Sequence, residues 1–234
     1  MSFLQKITLY LRALLPSLLF NLRYFPLKQA IKLPVLLYKP KLLCLSGRVI
    51  IDSPHVGFGM VQLGFPTSVL FPNNGITLRI EGTIVFKGRC HIGNDCYIVC
   101  GKNGSIVFGE DFKATAGLKM VSECGISFGS HTLVGWGNII IDTNFHPLFD
   151  IKENKFRRAY GKIIVGDNNW FSTNCILMYG VNTPDNCVFG ARSMITRSTK
   201  YESNCVYGGM PVRVLSRDVK RIIGQDFIKE YTSE

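Results

Sequence analysis

The sequence predicts a mainly β fold, in which a parallel β-solenoid lies between a basic helical N-terminal segment and a short C-terminal helix. The first observation behind this prediction is a six-residue period, which fits neither the 3.6 residues of a helical turn nor the alternation of a two-sided strand. The second is the recurrence of Gly and Asn beside the period, because these residues adopt the backbone conformations of tight corners. Short strands joined by such corners and stacked in register account for both observations.

The period is most regular between Val165 and Tyr207, where it never slips. Seven of the eight residues at this spacing are large and apolar: Val165, Phe171, Leu177, Thr183, Phe189, Ile195, Tyr201 and Tyr207. The same spacing occurs upstream in three shorter runs: Ile80, Phe86, Ile92 and Ile98; Phe108, Ala114 and Met120; Phe128, Val134 and Ile140. Each of these frame residues is expected to point into the solenoid and to stack on its equivalent in the next coil.

Residues 1–44 are predicted to form a basic amphipathic N-terminal segment. Its apolar residues recur at helical spacing: Phe3, Leu4, Ile7, Leu11, Leu14, Leu15 and Leu18. Of the net charge of +11, a large part lies here, since residues 1–51 contain eight Lys and Arg and no acidic residue. Two interpretations stay open: a helix in the plane of an anionic membrane leaflet, or a helix packed on the solenoid end or on a partner subunit. Nucleic acid is not expected, because the basic residues form no groove-reading motif.

The solenoid domain is predicted to span residues 45–215. Residues 147–164 are an out-of-frame insertion of 18 residues, made polar and basic by Lys152, Lys155, Arg157 and Arg158, and are predicted to protrude as a loop. Residues 216–234 are predicted to form the C-terminal helix, with Ser216 as its cap. The residues that recur at helical spacing in this last segment are Val219, Ile222, Ile223, Phe227 and Tyr231.

Composition and cysteine spacing narrow the class of protein. With 234 residues, 47% of them hydrophobic, the chain suits one globular domain and is too apolar to be disordered. No apolar stretch reaches 18 residues without a charge, so no membrane span is predicted. Six of the eight cysteines follow a frame residue by four positions and are predicted to be small buried hydrophobes: Cys90, Cys96, Cys124, Cys175, Cys187 and Cys205. A reducing, cytoplasmic compartment is expected, because the cysteines are predicted to be buried rather than disulfide-bonded and no secretory signal is convincing. A metal site is not expected at the cysteines, because no pair has metal-ligand spacing.

Four segments resemble a known family. They are Asp142 to Leu148, with the sequence DTNFHPL; Ile164 to Trp170; Gly190 to Arg197; and Gly208 to Leu215. In order and spacing they are similar to the hexapeptide-repeat acyltransferases, on the maltose/galactoside and polysaccharide O-acetyltransferase branch, over about residues 80–215. This resemblance implies a left-handed parallel β-helix; the periodicity alone does not give the hand.

His146 is the candidate catalytic residue. It lies at the frame position six residues after Ile140, yet a polar loop begins directly after it, which places it at the rim of the solenoid wall. The resemblance implies that neutral His146 acts as a general base, taking a proton from a hydroxyl that attacks the thioester of acetyl-CoA. Asp142 is predicted either to orient this imidazole or to serve as an ordinary corner residue.

The resemblance also implies sites for the two substrates. Ser172, Ala191 and Thr196 are expected along the pantetheine arm of acetyl-CoA, and Arg197 and Arg213 at its phosphates, whereas Trp170 is expected to be structural packing. The candidates for binding the acceptor are Glu123, Trp136 and Asn138. No metal is expected.

The resemblance further implies a homotrimer with three shared sites. The leading function is O-acetylation of a sugar in a surface polysaccharide or a lipid-linked glycan, at the cytoplasmic face of the plasma membrane if residues 1–44 bind it. Alternatives are an acyltransferase for a small sugar or nucleotide sugar, and a non-catalytic scaffold. A γ-type carbonic anhydrase is disfavoured, because it needs two zinc histidines five residues apart and His131 and His146 are 15 apart.

Overall fold

A computed structural model describes residues 3–224 of the chain. It contains two helices and 24 strands, most of them of two to five residues: α1 Phe3–Tyr24, α2 Leu27–Ala30, β1 Val35–Leu37, β2 Pro40–Cys44, β3 Arg48–Ile51, β4 Val61–Phe65, β5 Ile76–Ile80, β6 Thr83–Phe86, β7 Cys90–Gly93, β8 Cys96–Cys100, β9 Ser105–Phe108, β10 Phe112–Ala114, β11 Lys119–Ser122, β12 Ile126–Phe128, β13 Leu133–Val134, β14 Ile139–Ile141, β15 Phe149–Asp150, β16 Lys155–Phe156, β17 Ile163–Val165, β18 Trp170–Phe171, β19 Ile176–Met178, β20 Asn182–Thr183, β21 Val188–Phe189, β22 Met194–Ile195, β23 Cys205–Gly208 and β24 Arg213–Arg217.

The strands form the three sides of a prism. Sheet A has the order β1-β4-β7-β10-β13-β18-β21-β23-β24, sheet B the order β2-β5-β8-β11-β14-β19-β22, and sheet C the order β3-β6-β9-β12-β17-β20. The chain visits A, B and C in this order in coil after coil, and the pairing is parallel except between β23 and β24. The turns between sheets are called corners AB, BC and CA below. This arrangement is typical of a left-handed β-helix and confirms the predicted fold class.

The six-residue period marks the interior of the prism, as predicted. All eight frame residues from Val165 to Tyr207 are buried, with at most 8% of their surface exposed. In sheet A the rings of Phe171, Phe189 and Tyr207 stack coil upon coil, with centroids 4.9 and 5.4 Å apart. Each such pair adds about 0.5–1.5 kcal/mol beyond the burial of its area. The stacking therefore holds adjacent coils in register.

The cysteines belong to the same interior. All eight are free thiols, and five of the six at the predicted positions are buried; Cys124 is half-buried. Cys100, outside the predicted set, is buried as well. Burial raises the pKa of Cys96 and of Cys187 to about 12, so these thiols stay protonated and behave as small apolar side chains.

Both ends of the β-helix differ from the predicted boundaries. The first coil begins at Val35, so that β1 and β2 lie within the segment 1–44. The helix predicted from residue 216 is wrong as far as residue 224: Ser216 lies in β24, which pairs with the last parallel strand of sheet A. The strand forms here because it supplies hydrogen bonds to an otherwise open sheet edge, which outweighs the helical spacing. The remainder of that predicted helix, residues 225–234, lies outside the described residues.

The insertion between β14 and β17 protrudes from corner BC. Its centre is an antiparallel hairpin of β15 and β16, and its base is closed by backbone hydrogen bonds from Asn144 to Ala159 and from Gly161 to Asp142. The frame resumes at Ile163, the first residue of β17, so the loop ends before the predicted residue 164. None of the described helices is long and apolar enough to cross a membrane.

Candidate active site

His146 lies at the base of the protruding loop, on the outside of corner BC, and its side chain is exposed. The chain leaves the prism wall directly after Ile141, so the frame position six residues beyond Ile140 is no longer inward. A tight turn then shapes the segment: Phe145 has a φ of +59°, and the His146 N–H donates to the Asn144 carbonyl at 2.6 Å. The imidazole is therefore open to a second molecule, as the general base of the predicted reaction requires.

Asp142 is fully buried and does not orient His146. Its Oδ2 accepts hydrogen bonds from Ser122 Oγ at 2.8 Å and from the N–H groups of Cys124 and Gly125, and its Oδ1 accepts from the N–H of Glu123 at 2.8 Å. No hydrogen bond joins Asp142 to His146 within residues 3–224. Asp142 is therefore a structural corner residue, the second of its two predicted roles. Both oxygens of its carboxylate accept hydrogen bonds from the preceding coil at corner BC.

Asn138 has a corresponding structural role at corner AB, which corrects its prediction as an acceptor-binding residue. Its amide nitrogen donates to the carbonyls of Gly135 and Ser172, at 2.8 and 2.7 Å, and its oxygen accepts from the Cys175 N–H at 2.9 Å. The side chain is completely buried. Asn169 makes the equivalent contacts at corner CA, so the two asparagines are corner residues rather than ligand-binding groups.

Trp136 lines a cavity on the outer surface at corner AB. The cavity measures about 210 Å³ and is bounded by Thr115, Leu133, Gly135, Trp136, Trp170, Ser172 and Thr173. Trp136 is 40% exposed and Trp170 36% exposed. The structural-packing prediction for Trp170 is therefore wrong: its neighbour Phe171 fills the interior, and the strand's alternation points Trp170 outward.

The residues predicted to bind acetyl-CoA fall into separate groups. Ser172 and Ala191 lie at corner AB in successive coils, the first on the tryptophan cavity and the second exposed. Thr196 and Arg197 follow β22 at corner BC, the corner from which His146 projects. Arg213 is exposed in β24, beyond the last parallel strand of sheet A. The five residues predicted to bind acetyl-CoA are therefore not brought together within one protomer. Sheet B separates Ser172 and Ala191 at corner AB from Thr196 and Arg197 at corner BC.

Arg197 borders a second cavity of about 290 Å³. Its guanidinium lies 4.9 Å from the centroid of the Tyr179 ring, and its aliphatic part packs against Gly180 of the preceding coil. Lys200 adds a second positive charge to the cavity lining. The Thr196 N–H donates to the Tyr201 hydroxyl at 3.1 Å, which closes the turn that carries Arg197. The cavity thus brings together two positively charged side chains, of which Lys200 was not among the residues predicted from the sequence.

Glu123 is half-buried at corner BC, one coil before His146. Its carboxylate packs directly against Gly101, leaving no room there for a side chain. It therefore points along the corner toward earlier coils, and it stays a candidate for the acceptor rather than a partner of the imidazole.

Sequence reasoning missed a further loop beside the tryptophan cavity, residues 66–74 between β4 and β5. Buried Asn94 holds it: its amide nitrogen contacts the carbonyls of Ser68, Phe71 and Pro72 at 3.1–3.2 Å. Phe71 is thereby laid over Gly117 at corner AB, and Val69 at the tip is fully exposed. The six-residue period begins only at Ile80, so the spacing gives no signal for this loop.

The three-sided parallel β-helix defines a protein built of hexapeptide repeats, with an accessible imidazole at a coil exit and cavities along its corners. No family model matches the chain. It is 30% identical over 147 residues to a galactoside O-acetyltransferase of Lactococcus lactis, which is 60% of this chain and 66% of that protein. It is 26% identical over 123 residues to a polysialic acid O-acetyltransferase of Escherichia coli, which is 52% of this chain and 39% of that protein.

Among solved structures, a polySia-specific acetyltransferase aligns with 81% of this chain and 91% of its own, at 19% identity and a TM-score of 0.49. The chain is a relative of the hexapeptide-repeat acetyltransferases, among which are the galactoside and polysialic acid O-acetyltransferases. It spans just under two thirds of the galactoside relative.

Proposed function

We propose that the protein is an acetyl-CoA-dependent O-acetyltransferase that acetylates a sugar hydroxyl, with His146 as the general base. The observation that carries the proposal is the position of His146, whose ring is exposed at the rim of corner BC. The named relatives support the reaction class, because both are O-acetyltransferases of sugars or glycans.

The proposed step needs one base and one bound thioester. His146 takes the proton of the acceptor hydroxyl while its oxygen attacks the acetyl carbonyl, forming a tetrahedral intermediate. The carbon–sulfur bond then breaks, and the thiolate of coenzyme A receives the proton from the imidazolium. No covalent enzyme intermediate is needed, which agrees with the burial of six of the eight thiols.

The two cavities suit different parts of acetyl-CoA. The tryptophan cavity at corner AB is mostly apolar, with the Ser172 and Thr173 side chains at its edge, and so suits the pantetheine arm or an acceptor ring. The cavity at corner BC contains Arg197 and Lys200 and suits phosphate groups. Arg213 and Ala191 are proposed to extend these contacts.

The proposed site residues lie at two separate corners of one protomer, which supports a site shared between neighbouring protomers. In one protomer the base and Arg197 lie at corner BC, whereas Trp136 and Ser172 lie at corner AB, on the other edge of sheet B. We propose a homotrimer in which corner BC of one protomer faces corner AB of the next, so that each of three sites takes residues from two chains.

The proposed acceptor is a glycan of the cell surface or its lipid-linked precursor, and the proposed location is the cytoplasm, with residues 1–44 in contact with the inner face of the plasma membrane. The name of the polysialic acid relative and the basic N-terminal segment support this choice. A small sugar is the second candidate, favoured by the name of the galactoside relative.

The test measures release of coenzyme A thiol from acetyl-CoA with free sugars, nucleotide sugars and lipid-linked oligosaccharides as acceptors. We expect His146→Ala to lower kcat about 10²–10⁴-fold, because a general base contributes about this factor. Its melting temperature should stay unchanged, since the ring is exposed. His55→Ala, an exposed histidine away from both cavities, is the matched control. Wild-type rates of thiol release and acetyl transfer in His146→Ala would contradict the role of His146 as the base. Absence of thiol release from the wild-type protein with every acceptor would favour a scaffold.

A further inference from the structure

Helix α1 is fastened to the β-helix by a polar clamp on its inner face. The Asn21 amide donates to the Val35 carbonyl at 2.7 Å and accepts from the Val35 N–H at 3.2 Å, and the Ser17 hydroxyl accepts from the Leu37 N–H at 2.8 Å. Val35 and Leu37 belong to β1, the edge strand of sheet A. The clamp thus supplies hydrogen-bond partners to backbone groups at the open edge of sheet A. It also determines which face of α1 is turned toward the β-helix.

The inner face is completed by Leu9, Ala13 and Phe20, all buried. Leu9 and Ala13 pack with Leu36, Tyr38 and Phe65. Together with Ser17 and Asn21 these residues recur every three or four positions, as one side of a helix does. The inner face of α1 therefore packs on the solenoid end, and the membrane interpretation of residues 1–44 concerns only the opposite face.

The opposite face of α1 is also apolar, yet it is exposed. Its residues are 39–66% exposed: Ile7, Leu11, Leu14, Leu15, Leu18, Leu19 and Leu22. Leu27 and Ile31, at and just after α2, continue the patch and are 68% and 65% exposed. A helix that is apolar all round is normally covered on every side or in contact with lipid. We call these nine residues the N-terminal apolar face.

The charges around this face indicate what covers it. Arg12 lies on the flank of α1, and Lys28 and Lys32 lie between and beside the apolar residues of the α2 segment; all three are exposed. Residues 1–51 contain no acidic residue, so copies of the chain that met here would bring like charges together. An anionic lipid surface offers the opposite sign together with an apolar layer beneath it.

We propose that the N-terminal apolar face lies in the surface of an anionic bilayer, so that the first coil of the β-helix faces the membrane and the acceptor is a glycan carried on a lipid. The choice of acceptor rests on the proposed O-acetyltransferase activity; the membrane contact does not. The helix lies on the bilayer rather than across it, because its inner face is held by β1. The β-helix then stands away from the membrane with its corners open to glycan and acetyl-CoA.

The test compares binding of the full-length protein to two kinds of vesicle, phosphatidylcholine alone and phosphatidylcholine with phosphatidylglycerol. We expect wild-type protein to float with the anionic vesicles and to be released by salt in part. In Leu15→Glu/Leu19→Glu the partition should fall by about tenfold or more, since two buried apolar side chains are replaced by carboxylates that an anionic surface repels. The matched control is Ile222→Glu/Ile223→Glu, an exposed apolar pair in the C-terminal segment.

The outcomes distinguish a membrane contact from a subunit contact and from a loss of folding. Unchanged vesicle binding by the leucine variant would overturn the proposal, and a change in its oligomeric mass alone would assign the face to a subunit contact. Circular dichroism and melting temperature show whether the variant is folded. Loss of activity on membrane-embedded acceptor, with thiol release on a soluble sugar retained, supports the lipid-linked acceptor. Vesicle binding without thiol release on any acceptor would refute the proposed function and leave the membrane contact standing.

Discussion

Asp142 and Asn138 show how a buried polar side chain shapes a corner of the β-helix. Each lies just beyond or before a strand of sheet B, and each bonds to the backbone of a neighbouring coil rather than to a ligand. Asp142 was a candidate because it begins a segment that resembles a family motif, and Asn138 was a candidate for binding the acceptor. Their complete burial shows instead that they are needed to satisfy backbone groups that water cannot reach.

The role of Asp142 leads to a prediction about stability. In Asp142→Asn one acceptor oxygen becomes an amide donor that faces backbone N–H groups, so we expect a loss of at least about 1–3 kcal/mol in the free energy of unfolding. Urea unfolding checks this value, with Asp52→Asn, at an exposed position, as the control. A variant of full stability that loses only activity would restore Asp142 to the catalytic machinery.

At the scale of elements, unpaired backbone N–H and carbonyl groups at the ends of sheet A determine which secondary structure forms beside them. Helix α1 carries Ser17 and Asn21 because β1 has an open edge, and β24 replaces the predicted helix because β23 has one. Both ends of sheet A are thus covered by segments that lie outside the repeat pattern themselves. The repeats predict the middle of the prism well and its ends poorly.

The thiols inside the coils make stability depend on pH. Burial raises the pKa of Cys96 and Cys187 to about 12 and that of Cys100 to about 11, whereas in the unfolded chain thiols ionise near 8.5. Between these values the unfolded state binds fewer protons than the folded state, so stability falls as pH rises. The stabilising effect of these thiols is fully present below about pH 8.5 and disappears as pH approaches 11–12.

We therefore expect the free energy of unfolding to decrease between pH 8.5 and 10, by about 1.4 kcal/mol per pH unit for each thiol that is fully ionised in the unfolded chain. Urea unfolding under reducing conditions measures the slope. Replacing Cys187 by Ala should make the slope shallower, although the variant is less stable at every pH. A slope that is flat in the wild type would show that the buried thiols ionise as readily as free ones.

At the scale of the whole molecule, corners AB and BC lie at opposite edges of sheet B. His146 and Arg197 therefore approach Trp136 and Ser172 only if a second protomer brings its own corner alongside. The proposed active site is therefore complete only when protomers assemble into an oligomer. A mass of three times 26.2 kDa in solution is the first expectation.

Mixing two inactive variants tests the shared site. His146→Ala removes the base at corner BC, and Trp136→Ala removes the wall of the cavity at corner AB. If each site combines the two corners from neighbouring chains, randomly mixed trimers regain about a quarter of wild-type activity, since half of each kind of corner is intact. Co-expression with two affinity tags and thiol release measure the result. Mixed trimers as inactive as the parent variants would place both corners of a site in one chain.

The sequence by itself determined the repeating part of this protein. A period of six requires the same inward residue in every coil, so Phe171, Phe189 and the buried cysteines could be read from their spacing, and the loop after His146 from the break in that spacing. The tertiary structure alone decided the features that the six-residue spacing does not predict. It buried Asp142 and Asn138, replaced the C-terminal helix by β24 as far as residue 217, and packed one face of α1 on β1 while the other stayed uncovered. The first and last of these depend on hydrogen-bond partners in other coils, and the second depends on the open edge of β23. The six-residue spacing carries no information about such partners or edges.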